Sequence, residues 1–256
     1  MHKLHKFLKK LRLIHEFSII NLKLRYEGSF MGVLWFILMP VFLFSILFIV
    51  FSQNIGRDIE NYPLYVLTGI VIWNFFSRFT NDGLKVFSTY NNIMQKVSIS
   101  KSRIFLSVLL KNIYSFLIEI VILVIVLYLF FEPFFNFFFL SLLFLSLFIF
   151  TYAVGLLLSL LNAKFRDIEN IWRIVLFGGW FLTPVFFDRG IVGNKIGMFL
   201  MDINPLTHIL ELFRNSMLSD YNNWLLLFVL LCFSIIVMLF MQYIFSIFSK
   251  KVVDFI

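Results

Sequence analysis

The chain has 256 residues, of which 61% are hydrophobic and only 14% are charged, and its mean hydropathy is +0.95. A soluble domain holds about 45–50% apolar residues, so this composition excludes an ordinary water-soluble fold and requires a membrane to cover the excess apolar surface. The formal net charge is +8, but no base-reading element accompanies the basic residues, so a nucleic-acid partner is not expected.

The N-terminal residues 4–18 predict an amphipathic helix that lies in the membrane interface. Apolar side chains recur on one face at helical spacing, and Lys and Arg cover the rest of the surface. A short basic helix of this kind rests on a membrane rather than crossing it. It is either a surface anchor, which is the simpler interpretation, or a collar that holds a cytoplasmic partner. The residues that share its apolar face are Leu4, Phe7, Leu8, Leu11 and Ile14.

Six apolar stretches follow, and each predicts a transmembrane helix. The first runs from Phe30 to Phe51 without a charged residue. A helix of that length extends about 33 Å, enough to cross a bilayer core of about 30 Å. Only closed hydrogen-bonding structures survive in lipid, so the fold class is an all-α integral membrane protein. The predicted spans are 30–52, 62–84, 104–131, 134–161, 168–187 and 224–248.

The basic residues predict which side of the membrane holds the termini. Six crossings put both termini on one side, and most Lys and Arg residues fall in the segments on that side. The opposite loops hold only Arg57, Arg189, Lys195 and Arg214. Because cytoplasmic segments are rich in Lys and Arg, both termini are predicted to be cytoplasmic.

The segment 88–103 connects the second and third spans on the cytoplasmic side. It is longer than a simple connection needs to be, and its apolar residues interleave with polar ones. A short exposed helix with apolar side chains suits docking on a soluble partner, and an ordinary loop is the alternative. The residues at its centre are Asn91, Asn92, Ile93, Met94, Gln95, Lys96, Val97 and Ser98.

The fifth span contains two helix-weakening pairs, Gly178-Gly179 and Thr183-Pro184. Proline removes a hydrogen bond and clashes with the preceding turn, so the helix should kink or end there. Lipid tolerates such a break where protein or a water-filled cavity surrounds it.

The segment 188–223 is the longest predicted extracytoplasmic part of the chain. Asn204-Pro205 is a strong helix start, with Asn as the cap and Pro at the first helical position. We predict two half-helices, 193–203 and 205–218, that either dip back into the membrane or lie flat on its outer surface. Glu211 and Arg214 are three residues apart and could pair on one helix. The residues that recur on one face are Leu206, Ile209, Leu210, Phe213 and Met217.

Motifs for catalysis are not found in the sequence. A phosphate-binding turn of the form GxxxxGK[ST] does not occur, and neither does a His or Cys pair at metal-ligand spacing. The chain is therefore expected to be no enzyme and to bind no cofactor or metal itself. Glu119 and Lys111, in the third span, should face the bundle interior because polar residues are costly in lipid.

Tryptophan residues near the predicted span ends fit an interfacial belt. An alternative is an aromatic lining for a sugar path, since apolar sugar faces stack on rings. The candidates for that lining are Trp35, Trp73, Trp180 and Phe186.

Several segments together resemble one family, the ABC-2-type exporters of polysaccharides, which include the O-antigen, capsule and teichoic acid permeases. Residues 21–40 (NLKLRYEGSFMGVLWFILMP) resemble the approach to their first span. Residues 164–168 (KFRDI) and 182–186 (LTPVF) resemble their fourth cytoplasmic turn and broken fifth helix. Residues 204–206 (NPL) and 211–214 (ELFR) resemble their re-entrant segment. The pattern is most similar to the O-antigen type, often called Wzm.

This resemblance implies a homodimer with two copies of a separate P-loop ATPase, which would bind ATP and Mg. It implies that residues near 91–101 form a coupling helix beside the N-terminal collar, and that the path lies between the two copies. The half-helices would gate the outer end of the path. The gate residues implied in this way are Asn204, Pro205, Glu211 and Arg214.

The resulting domain prediction is an interface helix and linker (1–29), a six-helix transmembrane domain (30–248) and a cytoplasmic tail (249–256). The predicted function is the multi-pass inner-membrane subunit of an ATP-driven exporter of lipid-linked polysaccharide. Arg25, Tyr26 and Arg166 are candidates for holding the lipid pyrophosphate or the partner, since guanidinium groups suit phosphate and carboxylate. Positive-inside anchoring is the simpler interpretation of these three residues.

Three alternatives stay open at this point. One is an ABC-2 permease for a drug, lipid or other small cargo. Another is a membrane transferase acting on lipid-linked sugar, for which Asp167 and Glu169 are the nearest acidic pair, without a histidine. A non-transporting scaffold is the third.

Overall fold

A computed structural model describes residues 2–27, 30–53, 55–57, 59, 61–96, 100–130, 136–218 and 222–248. Every regular element in these residues is helical, which confirms the predicted all-α fold for this part of the chain. The α-helices are α1 His2–Tyr26, α2 Trp35–Phe51, α3 Tyr62–Leu84, α4 Val86–Lys96, α5 Lys101–Phe130, α6 Phe137–Lys164, α7 Ile168–Leu182, α8 Lys195–Ile203, α9 Pro205–Leu218 and α10 Trp224–Phe248. Short 3-10 turns at Gly32–Leu34 and Arg189–Ile191 precede α2 and α8.

Three helices in the described residues, α5, α6 and α10, are long and apolar enough to cross a membrane. Helices α8 and α9 are long and apolar enough to cross a membrane only when they are taken together. Their axes are bent by 80° relative to each other at Asn204. Helix α2 is shorter, and α3 has the length but carries the polar residues Arg78 and Asp82. A multi-pass membrane protein follows from these helices, whereas the arrangement of six spans stays a prediction.

Helix ends in the second half of the chain lie where the sequence predicts them. Helix α7 ends at Leu182, immediately before Thr183-Pro184. Helix α9 begins at Pro205, and the Asn204 side-chain oxygen accepts a hydrogen bond from Leu206 N at 3.1 Å. The two predicted half-helices are therefore confirmed as helices, separated by a sharp bend.

Helix α3 lies at the centre of the bundle and packs against α2, α5, α6 and α9. Its residues Val66, Ile70 and Phe75 are completely buried. The apolar face predicted for α9 packs into the same core, and all five of its members are buried. Burial on most sides explains why the polar groups of α3 have protein partners rather than water.

A second apolar cluster lies at the other end of the bundle from α9. Phe79, Phe87, Phe105, Tyr152 and Phe245 are among its buried residues, which come from α3, α4, α5, α6 and α10. We call it the α4-side cluster. It ties the short helix α4 to the four longer helices α3, α5, α6 and α10.

Helix α1 packs along α5 rather than standing apart from the bundle. The Ser18 hydroxyl donates a hydrogen bond to the Ser107 carbonyl at 2.9 Å, and His15 Nδ1 lies 2.7 Å from the Tyr114 hydroxyl. Of the predicted apolar face, Ile14 is buried but Leu11 is exposed. The side chains of the other three predicted face residues, which precede residue 11, lie outside those that the structure describes.

Candidate functional site

The chain leaves helical geometry after α7, and we call residues 183–187 the break. A buried arginine of α9 bonds two of its carbonyls. Arg214 donates from Nη1 to the Pro184 carbonyl at 2.7 Å and from Nη2 to the Val185 carbonyl at 2.6 Å. Nη2 also donates to the Tyr65 carbonyl at 2.8 Å, and the guanidinium carbon lies 3.4 Å from the centre of the Tyr65 ring. The side chain is 3% exposed, so carbonyl dipoles and a ring face replace the water that this charge has lost.

Two tyrosines at the start of α3 bond the next carbonyls along the break. Tyr62 donates its hydroxyl to the Phe186 carbonyl and Tyr65 donates its hydroxyl to the Phe187 carbonyl, both at 2.9 Å. With Arg214, these tyrosines give every carbonyl from 184 to 187 a side-chain donor. A broken helix inside a membrane protein needs such donors because lipid offers none.

Close approach between α3 and the break depends on a glycine. A Cβ atom at Gly69 would overlap the Val185 carbonyl and the Arg214 guanidinium. Sequence reasoning missed Gly69, Tyr62 and Tyr65. The sequence spacing could have indicated them. Residues three or four apart share a helix face, and all three lie on the face of α3 that meets the break.

The predicted pairing of Glu211 with Arg214 is wrong. Glu211 Oε1 lies 2.5 Å from Nε of Arg189, and Asp202 Oδ1 lies 3.0 Å from Nη1 of the same arginine. Arg189 therefore joins the turn before α8 to both half-helices. Arg214 instead donates to the Pro184 and Val185 carbonyls, which would otherwise be buried without donors.

Asn204 also contacts the break. Its amide nitrogen donates to the Thr183 hydroxyl oxygen at 2.9 Å, while its oxygen caps α9. Two of the four predicted gate residues, Asn204 and Arg214, thus contact the break, while Pro205 begins α9 and Glu211 bonds Arg189 in the adjoining turn. The role of this assembly as a gate stays a prediction.

A polar cluster around the Asp82 carboxylate joins α1, α3 and α5 at the end of α3 that lies away from the break. We call it the Asp82 cluster. Asp82 Oδ2 lies 2.7 Å from Nη2 of Arg25, 2.8 Å from Nζ of Lys111 and 2.8 Å from Nδ2 of Asn112. Arg25, predicted as a candidate for phosphate or a partner, is thus bound to Asp82. Arg166 is exposed in the connection between α6 and α7, and the Tyr26 side chain lies outside those described.

A second ion pair crosses the bundle between α3 and α5. Both guanidinium nitrogens Nη1 and Nη2 of Arg78 donate to the carboxylate of Glu119, the second at 2.9 Å. Glu119 and Lys111 are both buried, which confirms that these two residues face the interior of the bundle. Each is paired, as a buried charge requires.

The predicted coupling residues fall on helix α4, which ends at Lys96, while Val97 and Ser98 lie outside the described residues. Ile93 and Met94 are half-buried and pack on the α4-side cluster, which differs from the prediction of apolar side chains exposed for docking. Their burial follows from the amphipathic character of α4, which turns its apolar face to the bundle.

Two aromatic contacts fix α4 in place. Tyr90 contacts Phe17 of α1 with ring centres 5.5 Å apart, and Phe87 stacks on Phe245 of α10 with ring centres 5.9 Å apart. The N-terminal helix therefore does lie beside the predicted coupling helix.

The four aromatic candidates for a path do not line one space within this chain. Trp73 and Phe186 are buried in the core, whereas Trp35 is 46% exposed at the start of α2. Trp180 meets Trp73 edge to face with ring centres 5.7 Å apart. Of the four, only Trp73 lines the cavity of about 560 Å³ between α3, α6 and α7.

A bundle of apolar helices with a break after α7, two half-helices bent by 80° relative to each other, and buried ion pairs is typical of membrane transport proteins. Residues 17–218 match the model of the family described as ABC-2 type transporter. The chain belongs to the ABC-2 type transporter family.

Named relatives cover most of the chain. It is 26% identical over 205 residues to an O-antigen export system permease protein RfbA of Klebsiella pneumoniae, spanning 78% of this chain and 79% of that protein. It is 25% identical over 196 residues to the protein of the same name from Myxococcus xanthus, spanning 76% and 75% of the two chains. It is 21% identical over 205 residues to the polysialic acid transport protein KpsM of Escherichia coli, spanning 78% and 79%.

Proposed function

We propose that this chain is the membrane subunit of an ATP-driven exporter of lipid-linked polysaccharide in the bacterial cytoplasmic membrane. The observation that carries the proposal is the match to O-antigen permeases over at least three quarters of both chains. The described residues add what such a subunit needs: helices long and apolar enough to span lipid, and an irregular segment, 184–187, whose four carbonyls all have side-chain donors inside the protein.

The assembly that we propose is a homodimer of this chain with two copies of a separate P-loop ATPase. The ATPase binds ATP and Mg, and this chain contributes the path for the cargo. Six crossings with both termini in the cytoplasm place α4 and the Asp82 cluster on the ATPase side. The break after α7 then lies at the outer end, which suits a gate.

Coupling would run through α4. Its apolar face is packed between α1 and α10 through Tyr90 and Phe87, so an ATPase that pushes on α4 moves the long helices with it. Packed cores transmit such displacement because they are hardly compressible. ATP binding then favours a dimer conformation with an open path, and hydrolysis restores the closed one.

One structural contact and the names of the relatives bear on the alternatives. The transferase hypothesis needs Asp167 and Glu169 free for chemistry, yet Glu169 Oε1 lies 2.5 Å from Nζ of Lys85 and 3.7 Å from Nη2 of Arg173. A small-cargo permease shares the whole architecture and differs only in what it carries. The names of the relatives, all of them polysaccharide transporters, favour the polysaccharide.

A deletion strain tests the proposal. We expect loss of this chain to remove polysaccharide from the cell surface and to accumulate the lipid-linked form inside, and a plasmid copy to restore both. Normal surface polysaccharide in the deletion strain, with altered resistance to a drug or lipid, would favour the small-cargo alternative. Internal polysaccharide that is never completed would favour the transferase.

A further inference from the structure

The cavity of about 560 Å³ lies between α7 and the facing sides of α3 and α6. This volume is within the range of about 300–1,000 Å³ that is typical of small-molecule sites. Its walls are mainly aromatic and aliphatic, with Trp73 and Phe76 from α3, Phe150 from α6 and Trp172 from α7.

The cavity is elongated along α7. Its lining begins at Trp172 and reaches Thr183, a stretch that covers about 16 Å at the rise of an α-helix. One end lies near the Glu169 ion pairs and the other lies against the break, where Asn204 and Leu206 complete the wall. A cavity that extends this far along a helix suits an extended chain better than a compact molecule.

The polar groups on the wall are largely unavailable to a ligand. Four lining residues carry polar side-chain atoms, and in three of them these atoms bond within the protein. Trp172 Nε1 donates to Thr80 Oγ1 at 3.2 Å, and Asn204 Nδ2 donates to Thr183 Oγ1 at 2.9 Å. A sugar in this cavity would leave hydroxyls unpaired at about 1–3 kcal/mol each, so the wall selects hydrocarbon.

Positive charge surrounds the end of the cavity near Trp172. Lys85 and Arg173 both contact Glu169, so two cations share one carboxylate and a net positive charge remains. Both side chains are substantially exposed. An anionic headgroup there would lie directly next to a chain in the cavity.

We propose that the cavity binds the hydrocarbon chain of a lipid of the polyprenyl phosphate class, with the phosphate at Lys85 and Arg173. The choice of this lipid over a membrane phospholipid rests on the proposed function, because the cargo would be linked to such a carrier. The apolar lining along α7 suits a hydrocarbon chain, and the cations near Trp172 suit the charge of a phosphate. Each protomer would thereby hold the lipid of its cargo beside α7 while the sugar follows another route.

Gly178 allows the cavity to be filled without a clash. It lines the cavity, and an added Cβ atom would meet no heavy atom within 4 Å. Gly178→Leu therefore places a side chain in the cavity and also removes a helix-weakening glycine. Ile174→Phe is the control, because Ile174 lies on α7, is 72% exposed and does not line the cavity.

The test uses the full chain with its ATPase in nanodiscs and a polyprenyl phosphate that carries a diazirine in its chain. Irradiation and peptide mapping should find the label on α7 and α3 residues of the cavity wall. We expect Gly178→Leu to reduce this labelling on the order of tenfold, equivalent to about 1.4 kcal/mol, and Ile174→Phe to leave it unchanged. Lys85→Gln with Arg173→Gln should remove the preference for polyprenyl phosphate over uncharged polyprenol.

Other results would overturn the proposal. Labelling spread over the outer faces of the helices, or unaffected by Gly178→Leu, would exclude the cavity as the site. Equal labelling by a diazirine phosphatidylethanolamine would assign the cavity to bulk lipid, and cross-links between copies through the wall would assign it to the second protomer. ATP-dependent export of polysaccharide is measured separately on the wild-type complex. The absence of export would contradict the proposed function and would not contradict the lipid site.

Discussion

At the scale of single residues, Arg214 is the side chain on which the break after α7 most depends. Arg214→Met would retain much of the volume but remove the donors to the Pro184 and Val185 carbonyls. A buried carbonyl without a donor costs about 1–3 kcal/mol, so we expect a loss of stability of about 2 kcal/mol or more. Thermal unfolding of the purified chain measures it.

Arg173→Met is the matched control for this change, because Arg173 is 73% exposed on α7. It should unfold within about 0.5 kcal/mol of the wild type. If Arg214→Met were as stable as Arg173→Met, the carbonyls of the break would have other donors and the role given to Arg214 would be wrong.

The Arg78–Glu119 pair makes a second prediction at this scale. Glu119→Gln alone removes the carboxylate that bonds Arg78, whose side chain is 23% exposed, and should cost about 1–3 kcal/mol. The double variant Arg78→Gln, Glu119→Gln removes both charges and should be more stable than the sum of the single losses implies. A double-mutant cycle from thermal unfolding measures the coupling, and additive losses would show that the two charges do not support each other.

At the scale of elements, the contact between α3 and the break depends on a small residue. Gly69→Ala inserts a methyl group where the Val185 carbonyl and Arg214 already lie, so the break must move away from α3. We expect Gly69→Ala to destabilise the chain by about 1–3 kcal/mol, as overpacking does. The measurement is again thermal unfolding.

Gly178→Ala is the control for helix propensity, since its added methyl group meets nothing within 4 Å. Alanine in a helix is favoured over glycine by about 0.5–1 kcal/mol, so this variant should be as stable as the wild type or slightly more stable. A stable Gly69→Ala would mean that α3 and the break are not in close contact.

The sequence predicts elements well where local chemistry decides them. Thr183-Pro184 ends α7 because proline cannot continue a helix, and Asn204-Pro205 starts α9 because asparagine caps it. The predictions that are wrong concern which side chains contact each other in the tertiary structure. Glu211 bonds Arg189 and not Arg214, and Ile93 packs inward, because those outcomes depend on which groups the tertiary structure brings near. Periodicity along one helix carries no such information.

At the scale of the whole molecule, the topology is open to direct test. Ser100, just before α5, and Asn194, just before α8, are both exposed and should lie on opposite sides of the membrane. In a background with Cys232→Ser, an impermeant thiol reagent should label Asn194→Cys in intact spheroplasts. It should label Ser100→Cys only after the membrane is permeabilised. Labelling of both in intact spheroplasts would rule out the proposed topology.

The assembly itself is the central claim, and reconstitution tests it most directly. The chain would be purified with the P-loop ATPase from the same cells and inserted into vesicles with radiolabelled lipid-linked polysaccharide. We predict a stable complex that moves the labelled polysaccharide across the vesicle membrane with ATP and not without it. A complex that hydrolyses ATP but leaves the polysaccharide in place would contradict the proposed cargo, and failure to form any complex would contradict the exporter itself.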